Sequence, residues 1–218
     1  MDFSFLYNPQ RHVFHIGYNL ENGRLDENYY DLLASEARIA SLVAIAKRDV
    51  PPKHWLHLAR PLTQLPEGLT LLSWSGTMFE YLMPPLLTNS FPGTLLAQSC
   101  RTIVKYQIDY GRQLDIPWGI SESGFYTFDN ALNYQYRAFG VPGAGFKRGL
   151  AEDRVISYAS LMALSIDPKA VVANLHHLLQ YQMMGMYGLY EAIDFTPSAW
   201  SWGRNQRLCA PTWRTTRA

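Results

Sequence analysis

Two glutamates carry the strongest chemical signal in the sequence. Glu36 lies in the run LDENYYDLLASEARIA, residues 25–40, where the apolar spacing predicts a helix over 27–46 with Asp26 as its N-cap. Leu32, Leu33, Ala40 and Val43 share one face of that helix. Glu36 follows Leu32 by four positions and Leu33 by three, and precedes Ala40 by four, so it projects from the middle of the apolar stripe. A carboxylate there is costly unless it is paired or put to use. Pairing to an arginine or capping a backbone group would satisfy it as well as catalysis would. Glu122 sits in WGISES, residues 118–123, with small neighbours and Trp118 four residues before it. That segment is too irregular for a helix interior and reads as a loop rim, where most carboxylates are simply solvated. Two carboxylates matter together because cleaving a glycosidic bond takes an acid to protonate the leaving oxygen and a base or nucleophile opposite it. Asp31, Glu80, Asp129, Glu191 and Asp194 are further candidates that spacing alone does not separate.

Aromatic residues cluster near these acids in the sequence, including Trp74, Tyr81, Trp118, Phe125, Tyr134 and Tyr136. Flat apolar faces with a polar edge suit sugar rings, and they suit ordinary cores equally. The six histidines show no metal-ligand spacing: His176 and His177 point to different sides of a helix, and His54 and His57 have no third ligand near them. The glycine-rich run 140–145 follows no clear strand and lacks phosphate-loop lysine spacing, and no Gly-x-Ser-x-Gly elbow occurs. No metal and no cofactor is expected.

The elements that must hold these residues read as mainly helical. A strand pair is predicted over 3–17, broken by Asn8-Pro9, with a further turn at Asn22-Gly23. After the 27–46 segment, Pro51-Pro52 breaks the chain ahead of a short helix over 53–59, and 69–74 reads as extended. Helices are predicted over 78–83, 94–113, 155–166 and 168–182, the last with Asp167-Pro168 as cap and first-turn proline. Residues 117–145 form a long aromatic and glycine-rich loop of the kind that usually carries function. Residues 199–218 turn rich in Trp, Arg, Thr and Pro with no period.

The 218 residues carry a formal net charge of +1, which gives no argument for nucleic acid or an anionic membrane as partner. Two cysteines do not suggest a disulfide framework. No secretory leader and no membrane-length apolar run are read, so a soluble, cytoplasmic chain is expected.

Seven runs in order resemble one family. They are FSFLY (3–7), IGY (16–18), the 25–40 run, LSWSGTMFEYLMP (72–84), PWGISES (117–123), NYQYRAFG (133–140) and YEAIDFTP (190–197). Over residues 2 to 198 the chain is similar to the glucoamylase-like (glycoamylase) domain of bacterial cyclic β-1,2-glucan synthases. The resemblance implies a partial (α/α)6 toroid, with a short N-terminal β-hairpin, acting on linear β-1,2-glucan by cyclising transglycosylation or endo-hydrolysis. It implies Glu36 and Glu122 as the catalytic carboxylates, Glu122 as acid/base and Glu36 as nucleophile or base. It further implies Trp74, Glu80, Tyr81, Trp118, Tyr134, Tyr136, Arg137 and Glu191 as substrate-binding residues. Full-length relatives are inner-membrane proteins in which a glycosyltransferase precedes this domain and a phosphorylase module follows it. The family domain is longer, so residues 1–198 are expected to be an incomplete copy and 199–218 a disordered tail outside the family. An inactive remnant or a glucan-binding module is the alternative.

Overall fold

The structure, a computed structural model, describes residues 2–131, 133–197 and 208–209. The side chains of Ser35, Glu36, Tyr126, Phe128, Tyr134, Leu208 and Cys209 lie outside that description, as does the expected tail over 199–218 apart from the backbone of residues 208–209. The chain forms two compact units, residues 1–62 and 63–218.

The first unit is built from hairpins and helices. A 3-10 turn at Ser4–Leu6 leads into β1 (Tyr7–Asn8), which pairs antiparallel with β2 (Val13–Phe14). The predicted Asn8-Pro9 turn joins them. β3 (Tyr18–Asn19) and β4 (Arg24–Leu25) form a second hairpin closed by Gly23 in the left-handed region. Helix α1 (Ser35–Ala46) starts eight residues later than the spacing predicts. The cause is Asp31, whose Oδ1 accepts from the Leu33 and Ala34 amides and holds the chain in a side-chain turn just before the helix. Asp26 is accordingly not its cap. α2 (Lys53–His57) follows Pro51-Pro52. Phe14, Ala44 and Val50 form the core, with Phe3, Leu6, Tyr7, Tyr30 and Ile45 packed on it.

His54 is fully buried beside that core. Its Nδ1 lies 2.9 Å from the His12 carbonyl and its Nε2 lies 2.8 Å from Ser41 Oγ. A carbonyl only accepts, so Nδ1 carries the proton and Nε2 accepts from the serine. Burial lowers the pKa of this ring, which fits a neutral structural histidine.

The second unit takes over within β5 (Leu62–Leu65), which forms a hairpin with β6 (Gly68–Leu71). Then come α3 (Met78–Leu82), a 3-10 turn at Pro84–Leu86 and α4 (Leu95–Gln113). Thr94 caps α4 by accepting from the Ala97 amide. Ala97, Ser99, Cys100, Thr102, Ile103, Val104, Gln107 and Gly111 are its buried positions. Full burial of a side chain such as Ile103 contributes about 1.5–3 kcal/mol.

The long aromatic segment is no structureless loop. It contains β7 (Ser123–Phe128) and β8 (Tyr134–Arg137), paired antiparallel with Ser123 opposite Arg137 and Gly124 opposite Tyr136. Residues 155–166 are helical only in part. They form β9 (Val155–Ser157) and then a 3-10 helix, Tyr158–Ala163. All three residues of β9 are buried, and a short apolar run buried on both faces has the same pattern as a piece of buried helix. α5 (Pro168–Leu179) has the expected Asp167 cap. β10 (Met184–Gly185) and β11 (Gly188–Leu189) make a small hairpin. β12 (Ala192–Asp194) lies between β9 and β13 (Leu208–Cys209) in an antiparallel sheet.

The mainly helical partial (α/α)6 toroid is therefore corrected. Among the described residues only α1, α4 and α5 reach 12 residues or more, and short strands in six small sheets fill the intervals between helices. The physical reason is that those intervals rely on glycine, aromatic and β-branched residues, which favour extended pairs over helix.

Tyr81 anchors the centre of this unit. It is 0% exposed, and its hydroxyl lies 2.7 Å from the Leu71 carbonyl and 3.1 Å from that of Ala144. Burial pushes its phenol well above the ordinary tyrosine range. A pKa raised by folding means stability is complete below the ordinary value of about 10 and is lost as pH rises past it. Tyr81→Phe is expected to cost about 1–2 kcal/mol at neutral pH and to flatten the alkaline loss of stability, as read by urea melts across pH. An unchanged alkaline limb would show that another group drives it.

Candidate functional site

Glu122 stands at the end of a segment held by buried polar side chains. Gly119 adopts φ +127°, and a Cβ built there would lie 2.9 Å from the Ser157 carbonyl, so this tight turn requires glycine. Ser157 Oγ donates to the Gly119 carbonyl at 3.0 Å. Asn174, on α5, accepts from Trp118 N at 2.9 Å and donates to the Trp118 carbonyl at 2.7 Å. Gln107, on α4, accepts from Ile120 N at 2.9 Å and donates to the Ile120 carbonyl, also at 2.9 Å. The start of α3 adds two contacts, Met78 N to the Ile120 carbonyl and Phe79 N to Ser121 Oγ.

The carboxylate of Glu122 meets Tyr136 across the β7–β8 hairpin. The phenol is driven above the ordinary range first by desolvation, then by the charge and hydrogen bond of Glu122, the charge of Glu191, and Tyr158. Glu122, Glu191 and Tyr158 therefore gather about one phenol.

Sheet register explains how distant residues arrive there. Ala192 pairs with Ser157, so Glu191 and Tyr158, each one residue further out, sit at the same end of the β9–β12 pair. Glu191 Oε1 then accepts from Gly124 N at 2.6 Å, tying the start of the hairpin to β12.

Arg137 is bound elsewhere. Its Nη1 lies 2.7 Å from Asp153 Oδ2, and its guanidinium lies 4.9 Å from the Phe125 ring centroid and 5.7 Å from that of Phe139. It braces the outer strand of the hairpin.

Trp74 and Glu80 belong to a second feature. Trp74 is 71% exposed, and its ring stands 6.5 Å from that of Phe146 and tilted to it by 50°, leaving an exposed apolar face. Glu80 is taken up by its own loop. Its Oε1 accepts from the amides of Trp74 and Ser75, each at 3.0 Å, and its Oε2 accepts from Thr77 N at 2.9 Å and Thr77 Oγ1 at 3.0 Å. With Thr77 Oγ1 accepting from Glu80 N, this is a capping box at the start of α3. The glycine-rich run 140–145 packs here. A Cβ on Gly140 would fall 1.8 Å from the Ser75 carbonyl, so these glycines permit backbone approach rather than cradle a phosphate.

Tyr81 is interior, and Trp118 is only 6% exposed, so neither offers much surface to a ligand. Glu36 lies on α1 of the first unit, and its side chain, like that of Tyr134, lies outside the described residues. Tyr158 and Gln107 were not singled out from the sequence. Gln107 had a legible signal, a polar residue four after Ile103 and three after Val104 on the buried face of α4. Tyr158 had none, because its neighbourhood depends on strand register. Among the described residues, no group of three or more His, Cys, Asp or Glu side chains could hold a metal ion. Among the described residues no helix is long and apolar enough to cross a membrane.

Comparison with known proteins bears on this geometry. Residues 28–209 match the glycoamylase family, described as "Putative glucoamylase". Over 199 residues the chain is 51% identical to the cyclic beta-(1,2)-glucan synthase NdvB of Rhizobium meliloti (strain 1021), covering 91% of this chain and 7% of that protein. Among solved structures it resembles an endo-beta-1,2-glucanase from Chitinophaga pinensis, solved with sophorotriose and glucose, with a TM-score of 0.67. That match has 16% identity and covers 89% of this chain and 50% of the glucanase, so the likeness is one of fold. The chain thus spans half of this solved relative and a small part of the curated one.

Proposed function

This chain belongs to the glycoamylase family, and we propose that it acts on linear β-1,2-glucan, breaking β-glucosidic bonds by hydrolysis or by cyclising transglycosylation. The observation that carries the proposal is the hold of buried side chains on the backbone that leads into Glu122, whose charge acts on the Tyr136 phenol. Glu122 protonates the leaving glycosidic oxygen and later takes a proton from the acceptor, a water or a sugar hydroxyl. Tyr136 orients that carboxyl. Glu36 is the partner carboxylate, as nucleophile or base, a role that rests on the family resemblance. Glu191 sets the hairpin, and Trp74 with Phe146 offers a stacking surface for glucose rings. In a larger synthase, glycosyltransferase and phosphorylase modules would be its partners.

The exposed Trp74–Phe146 surface also favours a second reading, glucan binding without turnover. The chain is incubated with linear β-1,2-glucan, and with β-1,3- and β-1,4-glucans, and the products are resolved by mass spectrometry. Shorter or cyclic products from the β-1,2 polymer alone are expected. Saturable binding with no product would establish the binding module instead.

A further inference from the structure

We infer that Gln107 is a positioning residue for Glu122, acting through the peptide units that precede it. The inference rests on reading Glu122 as the acid of the site. Gln107 is 1% exposed on α4. Its Oε1 accepts from Ile120 N at 2.9 Å and Gly119 N at 3.3 Å, and its Nε2 donates to the Ile120 carbonyl at 2.9 Å. One side-chain amide thus pairs with both polar groups of Ile120, as a neighbouring strand would. Of the buried side chains that grip this segment, Asn174 and Ser157 hold Trp118 and Gly119, further from the carboxylate. Gln107 reaches within two residues of it.

A polar group on the buried face of a helix is costly unless its bonds are made. Here all of its bonds go to the backbone that sets the Glu122 Cα. Misplacing a reacting group by about 1 Å can cost about 10²-fold in rate. A side-chain amide on a 19-residue helix is a firmer reference for a loop carboxylate than the loop itself.

Tyr136 provides a readout independent of turnover, because its ionisation responds to the Glu122 carboxylate. The chain is labelled with ¹³Cζ-tyrosine, the Tyr136 signal is assigned with Tyr136→Phe, and the phenols are titrated by NMR. In the parent, Tyr136 stays protonated where an ordinary tyrosine is half ionised, at about pH 10. Glu122→Gln calibrates the assay by moving its titration down toward that value. Gln107→Met, which keeps the length and loses the amide, is expected to move it down as well. Gln107→Asn, which withdraws the amide by one methylene, serves if the methionine variant does not fold. Ser99→Ala is the control: it removes a buried bond from α4 to the Leu71 amide and should leave Tyr136 unchanged. If Glu122→Gln shifts Tyr136 and neither Gln107 variant does, the positioning role is wrong while the site stands. A shift in Ser99→Ala as large as in the Gln107 variants would also overturn it, as general loosening. No response to Glu122→Gln would instead remove the Glu122–Tyr136 contact on which the functional reading rests.

Discussion

If the proposed function holds, Glu122→Gln is expected to lower the rate of β-1,2-glucan turnover by about 10²–10⁴-fold and to leave glucan binding nearly unchanged. The substitution keeps the shape of the side chain and removes the proton it exchanges. Its neighbours should hold, because Gln107, Asn174 and Ser157 grip the backbone before it rather than its carboxylate. Glu36→Gln, made in the same turnover-competent protein, is expected to give a loss of similar order, since a glycosidase needs both carboxylates. The check is kcat against KM for each variant. Near-normal kcat in either would pass the chemistry to another acid, with Glu191 the first to test because it shares Tyr136 with Glu122.

Glu80→Ala should be the most destabilising of the acidic substitutions in the second unit. Its carboxylate accepts from the amides of Trp74, Ser75 and Thr77 and from the hydroxyls of Ser73 and Thr77. Hydrogen bonds to a charged group contribute about 1.5–3 kcal/mol each, and they are not additive within one loop, so a loss of about 3 kcal/mol is expected. For a chain of this size that lowers the melting temperature by roughly 6–12 °C. Because the loop also presents Trp74, weaker glucan binding should accompany the lower melt. Loss of binding with an unchanged melt would instead make Glu80 a direct ligand of the sugar.

The parts of the fold legible in sequence are those with local causes. Thr94 and Asp167-Pro168 announce α4 and α5, Pro51-Pro52 announces α2, and Asn22-Gly23 announces the β3–β4 turn. The Thr77-x-x-Glu80 spacing was a capping-box signature too, and it explains Glu80 more fully than a sugar contact does. What was not legible depends on distant partners. Val155-Ile156-Ser157 becomes a strand because β12 pairs with it, and nothing in the run itself distinguishes that from a helix. The β7–β8 hairpin is hidden by irregular aromatic and glycine content and by a register shift between Phe125 and Phe128. The candidate site follows the same division. Glu122 stood out through its family run, and Glu191 was one acid among several. Their meeting at Tyr136 required the register of two separate strand pairs.

The most direct measurement is a crystal structure of the Glu122→Gln variant soaked with linear β-1,2-glucan. With the chemistry blocked, an intact chain of glucose units should lie beside Tyr136. One of its interglycosidic oxygens should fall within about 2.6–3.2 Å of the carboxamide at position 122, the reach that proton transfer requires. A glucan bound with no interglycosidic oxygen near position 122, for example one stacked only along Trp74 and Phe146, would contradict the assignment of Glu122 as the acid.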